Sequence, residues 1–198
     1  MIIGITGGSG SGKTTLLNLI ADQGGTILDC DAIYHELLQQ DTFLLDTIEA
    51  HFPGVVENNI LDRKKLGSIV FNDKAALQNL NKITHAAVKN KVLRRLQNQP
   101  QLAAIDAIGL FEGELDALCD VTVAVTAPVE NRVQRIMARD GICEDYARNR
   151  IAAQPEQKWF CDQCTYVLEN DSTLESFQEK CIAFLRNLGI IKEKPKGE

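Results

Sequence analysis

Residues 4–15 read GITGGSGSGKTT, directly behind the apolar opening MII, and no other stretch so narrows what this chain can become. Gly7, four residues, then Gly12, Lys13 and Thr14 complete the pattern G-x-x-x-x-G-K-[ST], with an apolar run before it and a helical pattern after it. Glycine lets the backbone take positive φ and brings successive N–H groups around an anion with no Cβ between them. The helix that follows aims its positive end at the same place. Lys13 can reach the terminal phosphates and the Thr14 hydroxyl can ligate magnesium. The stretch therefore predicts a strand, a phosphate loop (P-loop) and a helix that together hold ATP or a similar triphosphate with Mg2+. The alternative, a glycine-rich turn with no ligand, gives no reason for strand, complete motif and helix to stand in register.

The rest of the chain extends this opening. Residues 1–6 predict a first strand, 13–22 a helix, and TILDCD at 26–31 a second strand. LAAIDAI at 102–108 and VTVAVTA at 121–127 are short, continuous apolar runs, the pattern of strands buried on both faces of a parallel sheet, and TYVLEN at 165–170 predicts a fifth. Between the second and third strands lies a largely helical pattern, an insertion at about 33–100. After the fourth, PVENRVQRIMARDG and EDYARNRIAAQ predict two helices joined by a short turn, a lid at about 129–160. The charged ending KEKPKGE predicts a flexible tail at 192–198.

Charge and composition exclude several classes. With 21 Lys and Arg against 27 Asp and Glu the net charge is −6, and no basic run interleaved with aromatics occurs, which argues against nucleic acid as a partner. No stretch is apolar over the roughly 18 residues of a membrane span, and MIIGITGGSG is too short and glycine-rich for a signal peptide, so a cytoplasmic protein with reduced thiols is expected. Cys161 and Cys164 form CDQC, half of a zinc pattern with no second half, so thiols are expected there rather than metal.

Ligands of open α/β sheets sit beyond the carboxyl ends of the strands, which directs attention to Asp29, Asp31 and Asp106. Asp106 stands where a magnesium-supporting carboxylate would, and a carboxylate at Asp31 could take the proton from an attacking hydroxyl or simply cap the next helix. Arg132, Arg135, Arg139, Arg148 and Arg150 crowd the lid; Arg135 and Arg139, four apart, share a helix face, and guanidinium groups there can neutralise charge on phosphoryl oxygens, Arg139 being favoured ahead of Arg135. A solvated basic face paired with Glu130, Asp140 and Glu144 is the alternative. His85 and the pair Arg63–Lys64 admit structural as well as substrate-binding readings.

A GTPase would need D-x-x-G and a later N-K-x-D; DAIG at 106–109 fits the first, but NKIT at 81–84 lacks the aspartate and comes too early. A regulatory ATPase would bring a second nucleotide motif or a partner-binding appendage, and neither is present in the sequence. A small-molecule kinase accommodates both the insertion and the arginines, with uridine-kinase-like and gluconate-kinase-like enzymes as alternatives.

The ordered motifs resemble one family, dephospho-coenzyme A kinase, over nearly the whole chain. The matching pieces are GITGGSGSGKTT, ILDCDAIYHELL, LDRKKLGSIVFND, ITH before a helix, IDAIGLFE, RVQRIMARDG with RIAAQ, and VLEND. The resemblance implies one domain over 1–198: a three-layer α/β/α P-loop NTPase fold with a five-stranded parallel sheet, a helical acceptor-binding insertion and a helical lid. It implies phosphorylation of the ribose 3′-hydroxyl of dephospho-coenzyme A by ATP with Mg2+, in a monomer or weak homo-oligomer. Carried over by position, Asp31 is the catalytic base, aided by Lys13 and Arg139. Gly10, Ser11, Gly12, Lys13, Thr14 and Thr15 form the ATP cradle, with Arg135 and Asn170 beside it. Asp31, Arg63, His85 and Glu112 meet the acceptor, and Thr14 holds the metal with Asp106 in support. Three departures stand out: Ile108-Gly109 for Pro-Leu, Ala86 for the proline after His85, and Cys164-Thr165 for Ala-Asp.

Overall fold

A computed structural model describes residues 1–192, so all but the first residue of the expected tail lies outside the described residues. In chain order the first elements are β1 (Ile2–Thr6), α1 (Lys13–Asp22), β2 (Thr26–Asp29), α2 (Cys30–Gln40) and α3 (Thr42–His51). A short hairpin, β3 (Val56–Glu57) and β4 (Ile60–Leu61), precedes α4 (Arg63–Val70) and α5 (Lys74–Leu96). Then come β5 (Ala103–Asp106), β6 (Val121–Thr126), α6 (Val129–Asp140), α7 (Glu144–Ala152), α8 (Gln157–Gln163), β7 (Tyr166–Glu169) and α9 (Leu174–Asn187). These gather into two compact units, one of residues 1–27, 100–111 and 116 onward, the other of residues 28–99 with 112–115.

The first unit is built on a sheet of order β2-β5-β1-β6-β7. Its pairings are parallel, with Ile2 opposite Ala103, Ile3 opposite Val121 and Val123 opposite Tyr166. The central strands are apolar on both sides because helices cover both sides, so Ile3, Ile5, Ala104, Val123 and Val125 are all fully buried. Leu16 and Ile20 of α1 and Phe177, Cys181, Phe184 and Leu185 of α9 pack on them as one apolar cluster. The edge strand β7 is half-wet, and Lys180 closes its end by donating to the Glu169 carbonyl at 2.8 Å and to Asp171 at 2.8 Å.

In the second unit α5 is the spine, and α2, α3 and α4 pack against it. Each of these four helices starts from an aspartate whose carboxylate accepts a backbone N–H: Asp29, Asp41, Asp62 and Asp73. Asn58 and Asn59, both at positive φ, form the two-residue turn of the β3–β4 hairpin. Ala86 lies inside α5, and a proline there would remove a helical N–H and kink the rod, so the alanine keeps α5 continuous.

Three expectations change. The second strand ends at Asp29, not residue 31, because the Asp29 side chain accepts from Ala32 N and starts α2 at Cys30; Asp31 therefore lies in a helical first turn rather than at a strand end. The stretch read as helical also contains the hairpin, and residues 112–115 return to its unit. The region after β6 holds three helices rather than two.

None of the six cysteines is in a disulfide, and among the described residues no three His, Cys, Asp or Glu side chains are grouped to hold a metal ion. Burial pushes the Cys181 thiol up to about 12, and burial with neighbouring aspartates does the same to Cys119. Among the described residues no helix is long and apolar enough to cross a membrane.

Candidate active site

The loop between β1 and α1 owes its shape to backbone conformations that side chains resist. Gly7, Gly10 and Gly12 have φ of 129°, 78° and 104°. A Cβ on Gly7 would fall 2.2 Å from the Val125 carbonyl oxygen, where β6 runs alongside. Gly7→Ala combines this collision with an unfavourable φ and is expected to cost about 3 kcal/mol or more, read as a fall in the urea midpoint. A midpoint equal to the parent's would mean that the loop is not held in this conformation.

The carbonyl side of the loop is satisfied from α6 and from the residue just after β7. Arg132 Nε donates to Ser9 O at 2.9 Å; Arg135 Nη1 donates to Gly10 O at 3.2 Å and Ser11 O at 3.3 Å. Asn170, 4% exposed, donates to Ser11 O at 2.8 Å and accepts from Arg135 at 3.1 Å. With its carbonyls turned this way, the loop leaves the N–H groups of Gly10, Gly12, Lys13 and Thr14 without an acceptor among the described residues. The buried Ser11 Oγ likewise has no hydrogen-bond partner there. A cluster of unmet donors at a helix N-terminus is a seat for an anion.

Lys13 reaches back across the loop to Gly7 O at 2.9 Å, and its ammonium is 3.9 Å from the Asp106 carboxylate at the end of β5. Thr14 is exposed and Thr15 half-buried, both in the first turn of α1. Cation, carboxylate and hydroxyl thus stand with the donor cluster in one unit, the set a magnesium-bound triphosphate requires.

Arg139 is placed differently from Arg135. Its side chain is 61% exposed and grips Asp140 through two hydrogen bonds of 2.7 and 3.0 Å, with Arg150 on the same carboxylate. That carboxylate holds the Arg139 guanidinium above its ordinary pKa. Arg148 pairs with Glu130 and Glu144, as the solvated-face reading expects.

In the second unit, Asp31 is exposed in the first turn of α2. Arg63, at the start of α4, places Nη2 3.2 Å from His35 Nδ1. Burial pushes the Tyr34 phenol up, while the nearby Arg63 charge pulls it down. His85 Nδ1 lies 3.2 Å from the Glu112 carbonyl oxygen, and the two residues line one pocket of about 410 Å³ with Asn81, Lys89 and Glu114.

A family model described as dephospho-CoA kinase matches residues 1–176. The chain belongs to that family. A dephospho-CoA kinase of Deinococcus radiodurans is 35% identical over 198 residues, covering 95% of this chain and 92% of that one. A solved protein from Thermus thermophilus is 30% identical, with a TM-score of 0.80 and 98% of each chain covered. A shikimate kinase from Bacteroides thetaiotaomicron, 16% identical with a TM-score of 0.55 over 96% of this chain and 98% of that one, shares the fold. The architecture is thus the three-layer α/β/α fold of P-loop kinases, and membership makes this chain an ATP-dependent kinase acting on dephospho-CoA.

Of the residues assigned from sequence to this dephospho-CoA kinase, the loop, Lys13, Arg135, Asn170 and Asp106 come together in one unit, and Asp31, Arg63, His85 and Glu112 lie in the other. Arg132 and Gln154, which hold Ser9, were given no role there. Their signal was present in the spacing of Arg132 three residues ahead of Arg135 and in the glutamine that ends RIAAQ.

Proposed function

We propose that this chain transfers the γ-phosphoryl group of ATP to the ribose 3′-hydroxyl of dephospho-coenzyme A, by the following division of labour. The observation that carries the reading is the set of unmet loop N–H groups beside Lys13 and Asp106. Gly10 to Thr15 bind the phosphates through backbone amides, and Lys13 places its charge on the terminal ones. The Thr14 hydroxyl and the Asp106 carboxylate would hold Mg2+, which when bound offsets charge on the phosphate oxygens. Arg135 and Asn170 act behind the loop and keep its amides aimed at the anion. Arg63, His85 and Glu112 bind the acceptor, with residues 33–100 as the acceptor-binding insertion. Asp31 orients the 3′-hydroxyl and takes its proton as the phosphorus–oxygen bond forms. Arg139 exchanges Asp140 for a phosphate oxygen as residues 129–160 close like a lid and exclude water. The enzyme works in the cytoplasm as a monomer or weak homo-oligomer.

The test is ADP release by the purified chain with Mg-ATP and a panel of acceptors: dephospho-coenzyme A, uridine, adenosine, gluconate, and none. Turnover confined to dephospho-coenzyme A is the expected result. Preference for another acceptor would mean that the turn at Ile108-Gly109 has redirected the scaffold, and release that needs no acceptor would make the chain an ATPase.

A further inference from the structure

Arg132 carries a positive charge that no group of opposite sign meets among the described residues. It lies near the start of α6 and is only 4% exposed. Its hydrogen bonds go to neutral oxygens, Nε to Ser9 O at 2.9 Å and Nη2 to Gln154 Oε1 at 3.2 Å. Among the described residues no ion pair reaches it, and the carboxylate nearest in sequence, Glu130, is engaged by Arg148. Arg139, Arg148 and Arg150, by contrast, each hold a carboxylate. Burial pulls the Arg132 guanidinium below its ordinary pKa, the direction expected of a cation with no counter-charge.

The position is built, not incidental. Ser9 N donates to Gln154 Oε1 at 2.9 Å and Gln154 Nε2 donates to Ser9 Oγ at 2.7 Å, so two bonds orient the amide whose oxygen Arg132 shares. The guanidinium also presses on the loop backbone: a Cβ on Gly8 would fall 2.2 Å from Arg132 Nη2. A buried, unpaired cation destabilises a fold unless something else uses it.

We propose that Arg132 is a phosphate-positioning residue whose counter-charge is the polyphosphate of the bound nucleotide: the guanidinium holds Ser9 and Gly8 from behind, and a polyanion seated on the loop neutralises it. The inference rests on the reading that the loop binds ATP phosphates. One side chain then acts with opposite signs in two states, opposing stability in the ligand-free protein and favouring the complex.

The test compares the whole chain with Arg132→Gln and Arg132→Lys, using inorganic tripolyphosphate and ADP as probes in calorimetric titration and thermal unfolding. Arg132→Gln keeps a donor and loses the charge. Without ligand it is expected to unfold no lower than the parent, and to bind tripolyphosphate about tenfold more weakly with a smaller thermal shift. Arg132→Lys keeps the charge and is expected to bind within about threefold of the parent. A glutamine variant that unfolds lower without ligand yet binds equally well would make Arg132 a structural brace and overturn the proposal. Should that variant not fold, a lysine variant that binds tenfold more weakly would overturn it too, since charge alone would not suffice. A parent protein that binds neither probe would remove the phosphate-loop reading itself, an outcome distinct from tight parental binding with unchanged variants.

Discussion

Lys13→Ala is expected to lower phosphoryl transfer by about a thousandfold or more, with the folded state left intact. The ammonium is 2.9 Å from Gly7 O and 3.9 Å from Asp106, with its side chain 14% exposed, so little bulk water competes for it. A cation held this way adds most when negative charge builds on the transferring oxygens, because its position needs no rearrangement at that moment. The cost to stability is far smaller. One hydrogen bond and one long ion pair are lost, together about 1–2 kcal/mol. Single-turnover rates and thermal unfolding separate the two effects, and a variant that phosphorylates the acceptor at the parental rate would refute the role of the loop.

Asp31→Asn should leave ADP binding within a factor of about two while transfer falls by about 10²–10⁴, the range of a general base. The structure makes this substitution cleaner than the sequence implied. Asp29, not Asp31, caps α2, so replacing Asp31 removes at most a favourable charge near the helix start, about 0.3–1 kcal/mol. Asp29→Ala is the matching control: it forfeits the cap, costs about 1 kcal/mol of stability, and leaves the proton acceptor in place. Loss of binding and transfer together in Asp31→Asn would make that residue structural.

How legible these features are in sequence depends on how local their causes are. The phosphate loop, α1 and the apolar strands β5 and β6 can be read directly, since each depends on neighbours a few residues away: a glycine pattern, a helical period, an unbroken apolar run. The end of β2 is misread because TILDCD offers two aspartates, and only the reach of Asp29 to Ala32 N decides between them. The β3–β4 hairpin escapes because two-residue strands give no alternation to see, although the Asn58-Asn59 turn was in plain view. The return of residues 112–115 to the second unit and the contact of Gln154 with Ser9 are separated by tens to more than a hundred positions, and no local pattern encodes them. Arg132 is passed over for another reason: arginine is read as a surface residue by default, and its burial depends on a loop far away in the chain.

The strand order has a consequence for how the chain reaches this state. β1 is made first, yet both of its neighbours lie beyond residue 100, with Ile2 against Ala103 and Ile3 against Val121. The second unit lies almost wholly between them in sequence and draws its contacts from nearby helices. During synthesis that helical part can condense while β1 and its glycine loop wait unpaired, and the sheet closes only after β6 has emerged. Pairing the central strand therefore carries a large loop-closure cost, and the apolar segment MIIGIT has no strand partner until residues beyond 100 are made. Translation pauses or chaperones that act before β6 appears are therefore expected to influence the yield of folded protein through this interval, without touching the chemistry of the site.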